Sequence, residues 1–122
     1  MAIQINNAGD YDTFTDAVNA AVKGDIISVS GGEVISENNH GKNEISYNID
    51  GATFSHNFSD GAAGGALAIV KDINSQLPQN SVITNATFDG NTANASSGAI
   101  HYDWENGTIS ISNSTFSNST FT

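Results

Sequence analysis

The residues able to do chemistry in this 122-residue chain are thirteen acidic side chains, three His (His40, His56, His101), three Lys (Lys23, Lys42, Lys71) and one Trp, Trp104; there is no Arg and no Cys. Paired carboxylates could hydrolyse glycosidic bonds, because one must protonate the leaving oxygen while the other attacks the sugar or activates water. A lyase acting on acidic polysaccharides needs instead a strong base, Arg or Lys, and often carboxylates that hold calcium. Without Arg, that base would have to be Lys71. The three His share no metal-ligand spacing, so neither a metal nor any other cofactor is expected. Asp60-Gly61 and Asp89-Gly90 lack the alternating acidic ligands of a calcium loop and read as turns. In "HYDWE", Tyr102 and Trp104 stand two residues apart, as an aromatic platform for a sugar ring would require.

The charge balance narrows the partners. A formal net charge of -10 and a pI near 4.1 exclude nucleic acid, whose phosphates demand clustered cations, and disfavour anionic membrane surfaces. No apolar run is long enough to span a bilayer, so direct membrane insertion is not expected. The first residues lack the basic and apolar regions of a signal peptide. The Lys-poor, Asn/Ser/Thr-rich composition points to an extracellular or cell-surface protein whose export signal is missing from this chain.

What must position these residues is a repeat. "ATFSHNFSDGAAGGALAIV" begins at Ala52, "ATFDGNTANASSGAIHY" 34 residues later at Ala86, and "STFSNSTFT" at Ser114. Such a period signals one small unit stacked on copies of itself. Ile49, Ile83 and Ile111 each stand five residues before Phe54, Phe88 and Phe116. Strand residues five apart face opposite sides, yet both members of each pair are apolar. A bend must therefore reset the parity, and Gly51, Asn85 and Asn113 occupy the place where it would fall. These six apolar residues are the expected core stack. Ala52, Ala86 and Ser114 share the inward parity of the Phe residues, while Thr53, Thr87 and Thr115 face out.

Asn57 and Asn91, three residues beyond Phe54 and Phe88, are expected to form a turn ladder of side-chain amides. The next strand opens with Gly64-Gly65-Ala66-Leu67 or Ser97-Gly98-Ala99-Ile100. Stacking the units sets Ile100 on Leu67 and Tyr102 on Ile69, which assigns Tyr102 to the core and leaves Trp104, beside Lys71, as the possible ligand contact. The same alignment sets Asp50 against Thr84 and Ser112, Asp89 against Ser55 and Ser117, and Asp103 against Val70. No carboxylate falls on another, which argues against a hydrolase. The six Asn-x-Ser/Thr sequons (Asn57, Asn85, Asn94, Asn106, Asn113, Asn118) read mostly as turn residues.

Ahead of the repeats, Phe14, Ala17, Val18, Ala21 and Val22 fall on one helical stripe, predicting a helix from about Asp12 to Val22. Thr13 with Asp16 is close to a capping box, and Lys23-Gly24 read as the stop. "DIISVSGG" and "EVIS" read as short strands. This helix, Gly-Asp and strand resemble the N-terminal cap of right-handed parallel β-helix proteins over residues 10–32, in which an amphipathic helix covers the first coil's open interior.

The Phe-x-x-Asn and Gly-Gly-Ala-(Leu/Ile) motifs, recurring in the same order over residues 45–122, resemble the repeats of polymorphic outer-membrane proteins and related autotransporter adhesins. Phe-x-x-Asn is intact at Phe54–Asn57 and Phe88–Asn91; Ser119 and Ser97 depart from the pattern. The resemblance implies a surface-exposed passenger domain with a right-handed β-helix and no catalytic residues. The expected fold is therefore all-β: one domain over residues 1–122, a right-handed parallel β-helix (solenoid) of about three coils with a short N-terminal capping α-helix. Residues 1–31 would form the cap and first strand, and 32–122 the coils. The expected function is a non-catalytic bacterial adhesin passenger fragment or self-assembling fibre subunit; the alternative is a polysaccharide lyase or hydrolase fragment. The loop Lys71 to Asn80 is a candidate to meet a glycan or host-surface ligand. No cap follows Phe116, so the last coil is expected to be open and to recruit another copy as a homo-oligomer or fibre.

Overall fold

Strand length in this protein is set by where the backbone must turn. Gly51, Asn85 and Asn113 adopt φ of 84°, 51° and 49°, the left-handed region that Gly enters freely and Asn more readily than most residues. Each closes a five-residue strand: β4 (Ser46–Asp50), β8 (Asn80–Thr84) and β12 (Thr108–Ser112). Each is followed by a three-residue strand: β5 (Thr53–Ser55), β9 (Thr87–Asp89) and β13 (Thr115–Ser117). A second left-handed residue, His56, Gly90 or Asn118, turns the chain into the two-residue strands β6 (Phe58–Ser59), β10 (Thr92–Ala93) and β14 (Thr120–Phe121). The computed structural model describes residues 3–32, 34–36, 45–59, 65–70, 80–93, 98–103, 108–118 and 120–121.

Equivalent strands pair with one another, not with their neighbours in sequence. With β1 (Ile3–Ile5) and β2 (Ile26–Ser30), one sheet has the order β1-β2-β4-β8-β12. With β3 (Val34–Ile35), a second has the order β13-β9-β5-β3. A third is β14-β10-β6, and the fourth pairs β7 (Leu67–Val70) with β11 (Ile100–Asp103). Every pairing is parallel except β1 with β2. The fold is therefore all-β with one helix. Val29 lies beside Ile49, Ile49 beside Ile83, and Ile83 beside Ile111, so successive units are 20, 34 and 28 residues long.

The interior is a set of apolar columns. Ile35, Phe54, Phe88 and Phe116 form one; Leu67 with Ile100, and Ile69 with Tyr102, form others. Phe54 and Phe88 stack at 4.9 Å and Phe88 and Phe116 at 4.8 Å, with planes 4° apart in both pairs. Ile49, Ile83, Phe54 and Phe88 have no exposed surface, whereas Ile111 and Phe116 are 44 % and 45 % exposed. Burying one such side chain fully is worth about 1.5–3 kcal/mol, so the middle units carry most of the stabilisation.

The helix differs from the sequence expectation. Thr13 caps it, its Oγ1 accepting the Asp16 N–H at 3.0 Å, but α1 spans only Phe14–Ala20. Ala21 is already extended (φ -67°, ψ 144°), and the Asp25 carboxylate accepts the Val22 N–H at 2.8 Å, holding a turn from Val22 to Asp25. Val22, expected on the buried stripe, is consequently 65 % exposed. Gly24 (φ 92°) serves that turn and is not the helix stop. Phe14, Ala17 and Val18 are buried, the Phe14 ring lying 5.9 Å from Tyr47 and 5.7 Å from Phe54. None of the helices among the described residues is long and apolar enough to cross a membrane.

Candidate functional site

The polar side chains with defined geometry gather at the two corners that flank β5, β9 and β13. On the inside, Asn57 and Asn91 are fully buried. The Asn57 Nδ2 donates to the Ile35 carbonyl at 3.0 Å and to Asn91 Oδ1 at 2.8 Å, and the Asn57 N–H donates to that same oxygen at 2.9 Å. Asn91 Nδ2 donates in turn to the Phe54 carbonyl at 3.0 Å. A buried amide left without partners would cost about 1–3 kcal/mol per group. Here each amide satisfies a corner carbonyl of the preceding unit.

On the outside, two carboxylates repeat one arrangement. Asp50 Oδ1 accepts from Thr84 Oγ1 at 3.2 Å and Asn85 Nδ2 at 3.0 Å. Asp89 Oδ1 accepts from Ser117 Oγ at 3.0 Å and Asn118 Nδ2 at 3.1 Å. In both cases an Asp-Gly pair, with Gly left-handed, lies beside a Ser/Thr-Asn pair of the next unit, with Asn left-handed. The bonds from Asn118 and Ser117 hold the Asp89 carboxyl below its ordinary range; the nearby His56 adds to this, and burial opposes it. A third carboxylate, Asp25, accepts from Asn6 Nδ2 at 2.9 Å, while Asn6 Oδ1 takes the Ile26 N–H at 2.9 Å.

Ser55, His56 and Asp89 put a hydroxyl, an imidazole and a carboxylate at one corner. Ser55 Oγ and His56 Nδ1 are 2.6 Å apart. A nucleophilic triad also needs the carboxylate on the second imidazole nitrogen, and that nitrogen lies over Gly90 instead. A Cβ on Gly90 would sit 2.8 Å from His56 Cδ2 and 2.9 Å from Nε2. Asp89 turns its oxygen to the next unit, so the three groups do not form a relay.

The remaining candidates separate. Asp103 lies beside Val70 and Tyr102 beside Ile69. The Tyr102 hydroxyl is buried without a hydrogen-bond partner among the described residues, and burial pushes its pKa up. Trp104, Lys71, His40, Asp60 and the loop up to Gln79 lie outside the described residues. Among the described residues no group of three or more His, Cys, Asp or Glu could hold a metal ion.

Sequence reasoning missed Ile35, which sits under Phe54, because its 19-residue offset differs from the 34-residue period. It also missed Ser81, a buried residue whose Oγ accepts the Tyr47 N–H at 3.1 Å. The paired Asp-Gly and Ser/Thr-Asn corners were visible as text, but nothing in the spacing showed that their side chains bond. The chain matches no protein-family model, no curated protein and no solved structure.

Proposed function

We propose that this chain is a right-handed parallel β-helix solenoid with a non-catalytic role, serving as a stiff scaffold in an exported bacterial adhesin or self-assembling fibre. One observation carries the reading. Asp50 and Asp89 each accept two hydrogen bonds on Oδ1 from the next unit, so this oxygen of each carboxylate is committed to holding neighbouring units together. The consistent parallel registers and the similarity of the Phe-x-x-Asn and Gly-Gly-Ala motifs to surface-adhesin repeats add support. The acidic, Lys-poor composition favours export over nucleic-acid or membrane-surface binding.

A polysaccharide lyase or hydrolase is the rival. It would need a second carboxylate or a cationic base beside Asp50, Asp89 or Asp103, and their register neighbours are Ser30, Thr84, Ser55, Ser117 and Val70. Incubation with a panel of neutral and acidic polysaccharides, with and without calcium, tests the reading. No release of reducing or unsaturated ends is expected. Release that disappears in Asp89→Asn or Asp103→Asn would overturn it. Glycan or host-surface binding without turnover would support an adhesin, and loss of that binding in Trp104→Ala would assign the contact to that side chain.

A further inference from the structure

Asp50-Gly51 and Asp89-Gly90 each join a carboxylate to a residue without a Cβ, the pairing in which aspartate is chemically least stable. Nothing on Gly keeps its nitrogen away from the preceding side chain. That nitrogen attacks Cγ: an N–Cγ bond forms, a Cγ–O bond breaks, and the departing hydroxyl leaves with the N–H proton as water. Water then opens the succinimide ring at either carbonyl. One opening restores aspartate; the other gives isoaspartate, whose main chain runs through Cγ and is one atom longer. Here the extra atom would fall at the left-handed corners that separate β4 from β5 and β9 from β10, shifting one strand against the next.

Burial does not shield these pairs, since Asp50 is exposed and Asp89, Gly51 and Gly90 are only partly buried. Hydrogen bonds hold both reacting groups instead. The Gly51 N–H donates to the Thr84 carbonyl at 3.0 Å, while Thr84 Oγ1 and Asn85 Nδ2 donate to Asp50 Oδ1. The Gly90 N–H donates to the Ser117 carbonyl at 3.1 Å, while Ser117 Oγ and Asn118 Nδ2 donate to Asp89 Oδ1. At each corner one Ser or Thr of the next unit thus holds the nucleophile with its carbonyl and the electrophile with its hydroxyl. Ring closure requires the two groups to leave that residue together. An ionised carboxyl also resists attack, because it would have to expel oxide, and Asn118 and Ser117 favour the ionised form of Asp89.

We propose that Asp50-Gly51 and Asp89-Gly90 are latent isoaspartate sites, each locked by the Ser/Thr-Asn pair of the next unit, so that modification proceeds only when that contact opens. The lock goes beyond the scaffold reading and stands without it. It gives the repeated corner a chemical role: stacking protects the bond most prone to rearrange, and isoaspartate at either pair records a local opening. Asp60-Gly61 lies outside the described residues and is scored separately.

Peptide mapping by mass spectrometry after prolonged incubation at neutral pH counts isoaspartate at each pair. Both pairs should isomerise about tenfold or more slowly in the folded chain than in urea, because reaction needs a minority open state. Asn118→Gly removes a donor to Asp89 while keeping the left-handed corner. It should speed Asp89-Gly90 about two- to tenfold and leave Asp50-Gly51 unchanged. Asn85→Gly should do the reverse. Circular dichroism checks that each variant is folded. Amide exchange of the unmodified chain needs no variant: the Gly51 and Gly90 N–H groups should exchange slowly. Equal isomerisation in the folded chain and in urea, or rapid exchange at either Gly, would overturn the lock. Folded variants that raise both pairs alike, or neither, would overturn its assignment to the corner bonds.

Discussion

Phe14 meets Phe54 edge-on, with ring centroids 5.7 Å apart and planes at 88°, whereas Phe54, Phe88 and Phe116 lie parallel within 4°. The helical side chain thus meets the strand side chain in a T-shaped pair, a favourable arrangement of aromatic rings that does not continue the parallel stack. The column runs from Ile35 through Phe54 and Phe88 to the half-exposed Phe116. This difference in burial underlies the stability pattern.

The first expectation follows from that column. Phe88→Ala removes a fully buried ring stacked on both sides and should cost about 3–5 kcal/mol. Phe116→Ala, at a site nearly half exposed, should cost much less. Urea denaturation of both variants checks this; equal losses would mean that Phe116 is as well packed as Phe88.

Asn91→Ala should destabilise the chain by about 1–3 kcal/mol, because the buried Asn57 amide loses its Oδ1 acceptor and the Phe54 carbonyl loses its side-chain donor. Asn57→Ala should be of similar size. The double variant should lose clearly less than the sum, since both truncations break the same 2.8 Å bond. Strict additivity in the cycle would deny the ladder.

Asp89 predicts an acid limb. Its carboxyl is held below the ordinary value of 3.8, first by Asn118 and then by Ser117. A depressed folded-state pKa stabilises the fold fully above the unfolded value and loses that contribution as the pH falls through the folded one. Stability should therefore decline below about pH 4, and Asp89→Asn, which keeps an acceptor oxygen, should flatten part of that decline. Melting curves between neutral pH and pH 2 compare the two; superimposable acid limbs would contradict the assignment.

Gly65 predicts a larger failure than any side-chain deletion. A Cβ there would overlap the Gly98 carbonyl oxygen and lie 2.7 Å from that of Thr92, both backbone atoms of the next unit. Gly65→Ala should abolish cooperative unfolding. At Gly90 the obstacle is the His56 ring and a φ of 70°, so Gly90→Ala should be partly rescued by His56→Ala. A wild-type melt for Gly65→Ala would show that the units are farther apart there.

The sequence was legible where one residue type had one physical reason to stand. Gly51, Asn85 and Asn113 mark the bend because a left-handed φ selects them, and the alternation of Ile27 and Val29 with Ser28 and Ser30 marks β2. It was illegible where a tertiary partner decided the outcome. Nothing in "AAVKGD" shows that the Asp25 carboxylate takes the Val22 N–H and ends the helix early. Ile35 was hidden by the shorter first unit. The bonds of Asp50 and Asp89 stayed hidden because they cross 28 to 35 residues of chain, and Asp89 by itself reads as a turn residue. Trp104 and Lys71 fall outside the described residues, and their part in ligand contact stays with the binding experiment.

The central claim, that the units form an open solenoid in which each touches only its neighbours, is tested most directly by lengthening it. Duplicating residues 52–85 in frame inserts one 34-residue unit, the Asn57-to-Asn91 period, with its own Phe54, Asn57 and Gly65 equivalents. A solenoid accepts such a unit, because its stability is close to a sum of unit and interface contributions. Small-angle scattering should then show the particle longer by about 5 Å along one axis, and the melting temperature should be equal or higher. Loss of cooperative unfolding, or a particle of unchanged length with a disordered insert, would contradict the account.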